Sequence, residues 1–246
     1  MNAGEIATLS SDQFRLTTVE GDLVDRDLTD VIQTPMAAAK GEFKHFMYKE
    51  IMDQPEALTD VIRGRVDLDS PALRLEEFEG IADQLRDTRR VILTGCGTSY
   101  HAALLGRNYI ESLTDLSVEV EIASELRYRD IAVHADDLVV SVTQSGETAD
   151  TLGAMEHLGR FTDLQIVITN VPGSQATRIA AATMEVRAGI EMGVASTKAF
   201  TSSVVCLYLL ALHLAELKQT ISAEDLAARL HELAQLPRLV GSVLED

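Results

Sequence analysis

Three short stretches place hydroxyl side chains beside glycine in a spacing that suits anion binding. Gly95-Cys96-Gly97-Thr98-Ser99 lies between an apolar run and a helical one, and Thr143-Gln144-Ser145-Gly146-Glu147-Thr148 repeats the arrangement further on. Gly193-Val194-Ala195-Ser196-Thr197-Lys198 precedes a long apolar segment. Glycine lets a backbone approach a ligand closely, and the first turn of a helix carries N–H groups without partners of their own. Hydroxyls beside such groups hold a phosphate without lysine or arginine, because the helix dipole already favours negative charge there. One such turn alone reads as an ordinary serine or threonine N-cap. Two of them after separate strands of one sheet point to phosphate binding. GCGTS alone would also suit a nucleotide loop, but it lacks both the full GxGxxG spacing and the P-loop lysine.

Other side chains are open to two readings. Glu147 is placed to move protons or to favour the dipole of a first helical turn. Lys198 adds charge near a phosphate or solvates a helix end. His101 suits acid–base work or a hydrogen-bonded structural place. Cys96, small and between glycines, is expected to pack. Arg127 and Arg129 are expected to pair with nearby carboxylates and are assigned no ligand.

The elements that must position these turns alternate regularly. Strands are predicted at Arg90 to Thr94, Val118 to Ile122, Leu138 to Val142, Gln165 to Thr169 and Met184 to Arg187. Helices are predicted at Ser99 to Leu113, Ala123 to Arg129, Glu147 to Leu158, Gln175 to Ala181 and Ser196 to Leu217. Continuous apolar strands separated by helices make an α/β fold, a doubly wound, mainly parallel sheet of about five strands with helices on both faces. In such a sheet the turns collect at the carboxyl ends of the strands, where ligands bind. Upstream, Glu5 to Leu9 and Phe14 to Val19 read as a hairpin that needs a sheet to join. From Ala37 the pattern turns helical, with Pro55 near a helix N-terminus. Val66 to Ala72 reads as a polar connector and Leu75 to Arg89 as a further helix. Ala223 to Leu236 is amphipathic with Leu226, Leu230 and Leu233 on one stripe, and Pro237 starts a short last helix.

Composition narrows the function classes. The chain has 246 residues, 46% of them apolar and 24% charged, which fits a globular protein rather than a disordered one. A net charge of −18 argues against nucleic acid and an anionic membrane as partners. Ala199 to Ala215 carries no Asp, Glu, Lys or Arg, yet its Thr201, Ser202, Ser203 and His213 favour a buried core helix over a lipid span. Cys96 and Cys206 form no disulfide framework and show no metal spacing. With no signal peptide at the N-terminus, a cytoplasmic location is expected.

The stretches GCGTSYHA, EIASELRYR, QSGETADTL, NVPGS and GVASTKAFT, in that order, resemble the sugar isomerase (SIS) domain of the glutamine–fructose-6-phosphate aminotransferase family. GEFKHFMYKEIMDQPEAL resembles the segment that enters the isomerase part, so the likeness covers nearly the whole chain. The resemblance implies a flavodoxin-like SIS fold and a sugar phosphate, fructose 6-phosphate or glucosamine 6-phosphate, as ligand. Ser99, Thr143, Gln144, Ser145 and Thr148 would hold the phosphate, with Thr98, Val194 and Ser196 near the sugar. The family usually has serine where this chain has Thr143, and the added methyl bears on phosphate geometry and affinity. No metal or organic cofactor is implied.

The family reaction transfers ammonia from glutamine to fructose 6-phosphate and isomerises the product to glucosamine 6-phosphate. Its acid–base groups are expected in a second SIS domain and a C-terminal tail, so no catalytic residue is assigned here and the chain alone is expected to bind without turnover. Residues 1–35 are expected to be the remnant of a glutaminase domain, whose N-terminal cysteine has no counterpart after Met1. Residues 36–73 would be a helical linker, 74–218 the SIS domain, and 219–246 helices leading to the second SIS domain. Apolar faces left open around the long helix and the Leu226–Leu233 stripe would favour a homodimer. Two other readings are a stand-alone SIS sensor of a sugar phosphate and a small sugar-phosphate isomerase using Glu147 or His101.

Overall fold

The computed structural model describes residue 2 and residues 4–26, 40–67 and 69–245. The helical start expected at Ala37, and the parts of segments 1–35 and 36–73 that fall on residues 1, 3, 27–39 and 68, lie outside them. The chain forms two compact units, Met1–Ala37 and Ala38–Asp246. In the first, β1 (Glu5–Leu9) and β2 (Phe14–Thr18) make a two-stranded antiparallel hairpin, closed by Arg26 on Glu5 at 2.7 Å.

The second unit opens with α1 (Phe46–Met52) and α2 (Gln54–Ile62), the latter with Pro55 in its first turn. Where a polar connector is expected, β3 (Val66–Asp67) and β4 (Ala72–Leu73) form a small antiparallel pair braced by Arg74 on Asp67. The helix expected from Leu75 to Arg89 divides into a 3₁₀ turn, Glu76–Ile81, and α3 (Ala82–Asp87). Gly80 is a poor helix former, and Ile81 leaves helical geometry at φ −123° and ψ 10°.

The elements of the main sheet then follow. They are β5 (Arg90–Gly95), α4 (Thr98–Leu113), β6 (Ser117–Ile122), α5 (Ala123–Leu126), β7 (Leu138–Thr143), α6 (Ala149–Leu158), β8 (Gln165–Thr169), α7 (Gln175–Ile179) and β9 (Ala182–Glu185). After them come α8 (Lys198–Leu217), α9 (Ala223–Ala234) and α10 (Leu236–Glu245). The sheet order is β6-β5-β7-β8-β9 and every pairing is parallel. The last strand lies two residues earlier than expected, ending before Arg187, whose φ of 55° is incompatible with an extended chain.

Alternation along the strands builds two apolar layers. Val91, Leu93, Val140, Val142, Ile166 and Ile168 join α2, α4, α8 and α9 in the larger core. Ile92 and Val139 face Leu126, Ala154 and Leu158 on the opposite side, and Val167 meets Leu152, Met155 and Ala176. The sheet is therefore covered on both faces, which is why its strands are continuously apolar. By length and composition α8 would cross a membrane, yet it sits in the larger core with Leu209, Leu210, Leu212 and Leu214 fully buried. Burial also pushes the Cys206 thiol up to about 11, so it stays protonated.

One expectation is overturned here. The faces around α8 and the Leu226–Leu233 stripe are not open, because Leu226, Leu230 and Leu233 are buried in that same core. The apolar residues left exposed at this end are Leu239 and Val243 of α10.

His213 of α8 is buried at both ring nitrogens without a hydrogen-bond partner among the described residues, and its ring lies 5.8 Å from Phe78. Burial lowers its pKa below the ordinary 6.5. As pH falls below that value the unfolded chain binds a proton that the folded chain refuses, so stability drops. Chemical denaturation between pH 7.5 and 5 should show the wild type losing stability faster than His213→Leu. Parallel curves would show that His213 does not contribute.

Candidate functional site

At the carboxyl edge of the sheet, the turns after β5 and β7 and the segment before α8 enclose a cleft of about 430 Å³. Every residue predicted from sequence lines it: Thr98 and Ser99 from the first turn, Thr143, Gln144, Ser145 and Thr148 from the second, Val194 and Ser196 from the third. Because β6 lies on one side of β5 and β7 on the other, the chain reverses direction here and the two turns diverge around a crevice.

The first turn leaves helix donors open. The N-cap of α4 is Gly97, at φ 56°, which offers no side chain to the helix. Ser99 N–H is held by Cys96 O at 3.2 Å, whereas the N–H groups of Thr98 and Tyr100 have no acceptor among the described residues. Cys96 is half-buried; it lines the cleft and packs against the Ile92 layer, as expected for a small side chain.

In the second turn, hydroxyls are oriented by the backbone. Thr143 Oγ1 accepts from Gly146 N–H at 3.2 Å and lies 3.4 Å from Thr148 Oγ1. Ser145 Oγ accepts from Glu147 N–H at 3.1 Å. A hydroxyl that accepts from the backbone keeps its own proton to donate; that of Ser145 is uncommitted, whereas Thr143 and Thr148 share one proton between their hydroxyls. Thr148 is the N-cap of α6 but makes no side-chain bond to it, so that helix also starts uncapped. Gln144 is fixed through its carbonyl, which accepts from Asn170 N–H at 3.1 Å.

The third stretch differs from the sequence reading. Helix α8 begins at Lys198, not Ser196, and its positive end is already occupied by Glu191. That carboxylate accepts from Thr197 N–H at 2.9 Å, Ala199 N–H at 3.1 Å and Ser196 Oγ at 2.9 Å. A helix end filled by a carboxylate has little left for a phosphate. This turn is a wall of the cleft rather than a third anion cradle.

Three side chains with alternative readings are placed by the structure. Glu147 precedes the N-cap instead of lying in the first turn of α6, and accepts from Gln175 N–H at 2.7 Å. Lys198 does not solvate the helix end; it is buried and paired with Asp53 at 3.1 Å. His101 is exposed beside the Tyr100 ring, and its imidazole makes no hydrogen bond among the described residues; its backbone N–H is held by Gly97 O at 3.3 Å. Arg127 pairs with Asp150 and Arg129 with Glu121.

Beyond the quoted turns and the apolar Val142, two lining residues were missed by sequence reasoning. Glu191 sits in a segment without regular periodicity and gives no local signal. Thr151 is buried, with its Oγ1 unpartnered among the described residues. It follows Thr148 by three residues on α6, so the shared helical face was a usable signal. Among the described residues the lining includes Glu191 as its charged side chain and no lysine or arginine. No cluster of metal-binding side chains occurs among the described residues. The site therefore offers neutral donors: open helix N–H groups and oriented hydroxyls.

Comparison with known proteins agrees with this architecture. The family model described as SIS domain matches residues 84–213. Over the whole chain, 40% of residues are identical to the glutamine–fructose-6-phosphate aminotransferase (isomerizing) of Chlorobaculum tepidum, of which the chain spans 40%. The enzyme of that name from Pseudomonas aeruginosa is 40% identical over 99% of the chain, which again spans 40% of it. Among solved structures, the C-terminal domain of glucosamine-fructose-6-phosphate aminotransferase from Francisella tularensis superposes with a TM-score of 0.76 at 37% identity. That match covers 82% of this chain and 56% of the other. The chain thus spans about two fifths of the length of these curated relatives.

The second turn depends on a glycine at position 146. Its φ is +66°, and a Cβ there would stand 1.9 Å from Ser174 Oγ. Gly97 has a similar φ of +56° with open space around it. Gly146→Ala should lower stability by about 2–3 kcal/mol, and Gly97→Ala by about 1 kcal/mol. Urea titration of both variants checks the order; equal losses would show that the Ser174 contact is immaterial.

Proposed function

We propose, from the premise that the chain belongs to the SIS-domain family, that its cleft binds a sugar phosphate. Fructose 6-phosphate and the product glucosamine 6-phosphate are its ligands, as part of a glutamine–fructose-6-phosphate aminotransferase. The observation that carries this reading is the convergence of two uncapped helix starts and their hydroxyls on one crevice.

The phosphate is received by Ser99, Thr143, Gln144, Ser145 and Thr148, at the starts of α4 and α6. Each hydrogen bond to a charged group contributes roughly 1.5–3 kcal/mol, and each helix start adds up to about 1 kcal/mol. These terms act at short range, so they work on a chain whose net charge is −18. Thr98, Val194 and Ser196 face the sugar. No acid or base is assigned to this chain, which binds and orients the substrate while the remaining length of the enzyme supplies the chemistry. No cofactor enters the proposal. The domain division 1–35, 36–73, 74–218 and 219–246 belongs to the same reading, as do a cytoplasmic location and a homodimer.

Calorimetric titration with fructose 6-phosphate tests the proposal, with fructose and inorganic phosphate as controls. The sugar phosphate should saturate the site and fructose should not bind. Ser145→Ala should weaken binding about tenfold or more, since it removes one donor to a charged ligand. Equal affinity in the variant, or equal binding of fructose, would displace the phosphate from this cradle.

A further inference from the structure

One buried carboxylate outside the cleft has no part in the phosphate cradle. Glu50 of α1 is 2% exposed. It accepts from Met192 N–H at 2.5 Å, and from Gly193 N–H at 3.1 Å through each of its oxygens. A Cβ on residue 193 would stand 2.6 Å from Glu50 Oε2, so glycine is what allows this approach. One helical turn further along, Asp53 receives Lys198 at 3.1 Å and Lys49 at 2.6 Å. Two carboxylates from one stretch of helix therefore grip residues 192, 193 and 198, on either side of Val194 and Ser196.

That grip matters because of how the three walls are built. The turns after β5 and β7 join a strand of the sheet to a helix within a few residues, so the sheet fixes them. Residues 186–197 have no helix or strand. Asn170 holds the early part, accepting from Ala188 N–H and donating to Gly189 O. Beyond that, Glu50 is the side chain from another element that holds the backbone of residues 192–193, where the wall meets the cleft.

We propose that Glu50 is a positioning residue. It holds Gly193 to Ser196 in the conformation that receives the sugar, while the phosphate cradle stands independently on the sheet. This rests on the sugar-phosphate reading of the cleft. It also assigns the segment before the sheet a task in ligand recognition, beyond joining domains.

The test measures two things on the full chain, in the wild type, Glu50→Gln and Glu50→Ala. One is affinity for fructose 6-phosphate by calorimetry, and the other is amide hydrogen exchange resolved by segment. Glu50→Gln keeps the shape but sets an amide N–H₂ against Gly193 N–H; it also guards against misfolding of the alanine variant. Affinity should fall about tenfold in Glu50→Gln and further in Glu50→Ala. Exchange should quicken at residues 189–197 and stay unchanged at 95–100 and 143–149. Exchange rising throughout the unit would make Glu50 a general stabiliser and overturn the proposal. Unchanged affinity, or lost affinity without faster exchange at 189–197, would overturn it as well. Failure of the sugar-phosphate reading itself would appear separately, as no binding by the unaltered chain.

Discussion

Parallel strands cannot be joined by a hairpin, so each connection must cross a face of the sheet before the next strand begins. All strand carboxyl ends then lie on one edge, and all the turns that lead into helices lie there too. The order β6-β5-β7-β8-β9 adds a reversal between β5 and β7. Helix α4 packs into the larger core on one face and α6 into the smaller layers on the other. Their starting turns are pulled apart, and the crevice between them is a consequence of the topology rather than of any one side chain.

The treatment of helix ends then divides the cleft into two kinds of wall. Helices α4 and α6 start without side-chain caps, and in the turn before α6 the hydroxyls of Thr143 and Ser145 accept from backbone N–H groups. Helix α8 starts with its N–H groups on Glu191. The first two ends have polarity to give to a ligand, and the third has given it to the protein. Glu191 spends its charge on the start of α8 and on the Ser196 hydroxyl.

Several acidic side chains around the cleft hold the protein's own backbone and cations. Glu50 and Asp53 hold the segment before α8, and Glu147 ties the second turn to the start of α7. Arg127 and Arg129 are likewise satisfied by Asp150 and Glu121. The cleft is thereby lined by hydroxyls and open helix N–H groups, with no lysine or arginine among its described lining residues, inside a chain of strong negative charge.

Much of the fold was legible in the sequence. Continuous apolar runs at Val91, Val139 and Ile166 specify strands buried on both faces, and their alternation with helical periods specifies a parallel sheet. The two hydroxyl turns were readable because glycine, hydroxyl and helix start are local signals within a few residues. What sequence could not supply was contact across long separations. Glu50 meets Gly193, Asp53 meets Lys198, and Glu191 closes α8, although none of these residues carries a local mark of its partner. The Leu226–Leu233 stripe looked like an open face because periodicity shows which residues are apolar, not what covers them; tertiary packing places it in the core. Local backbone preference and apolar period thus determined the elements and the two hydroxyl turns, whereas the docking of α1 against a distant segment decided the third wall.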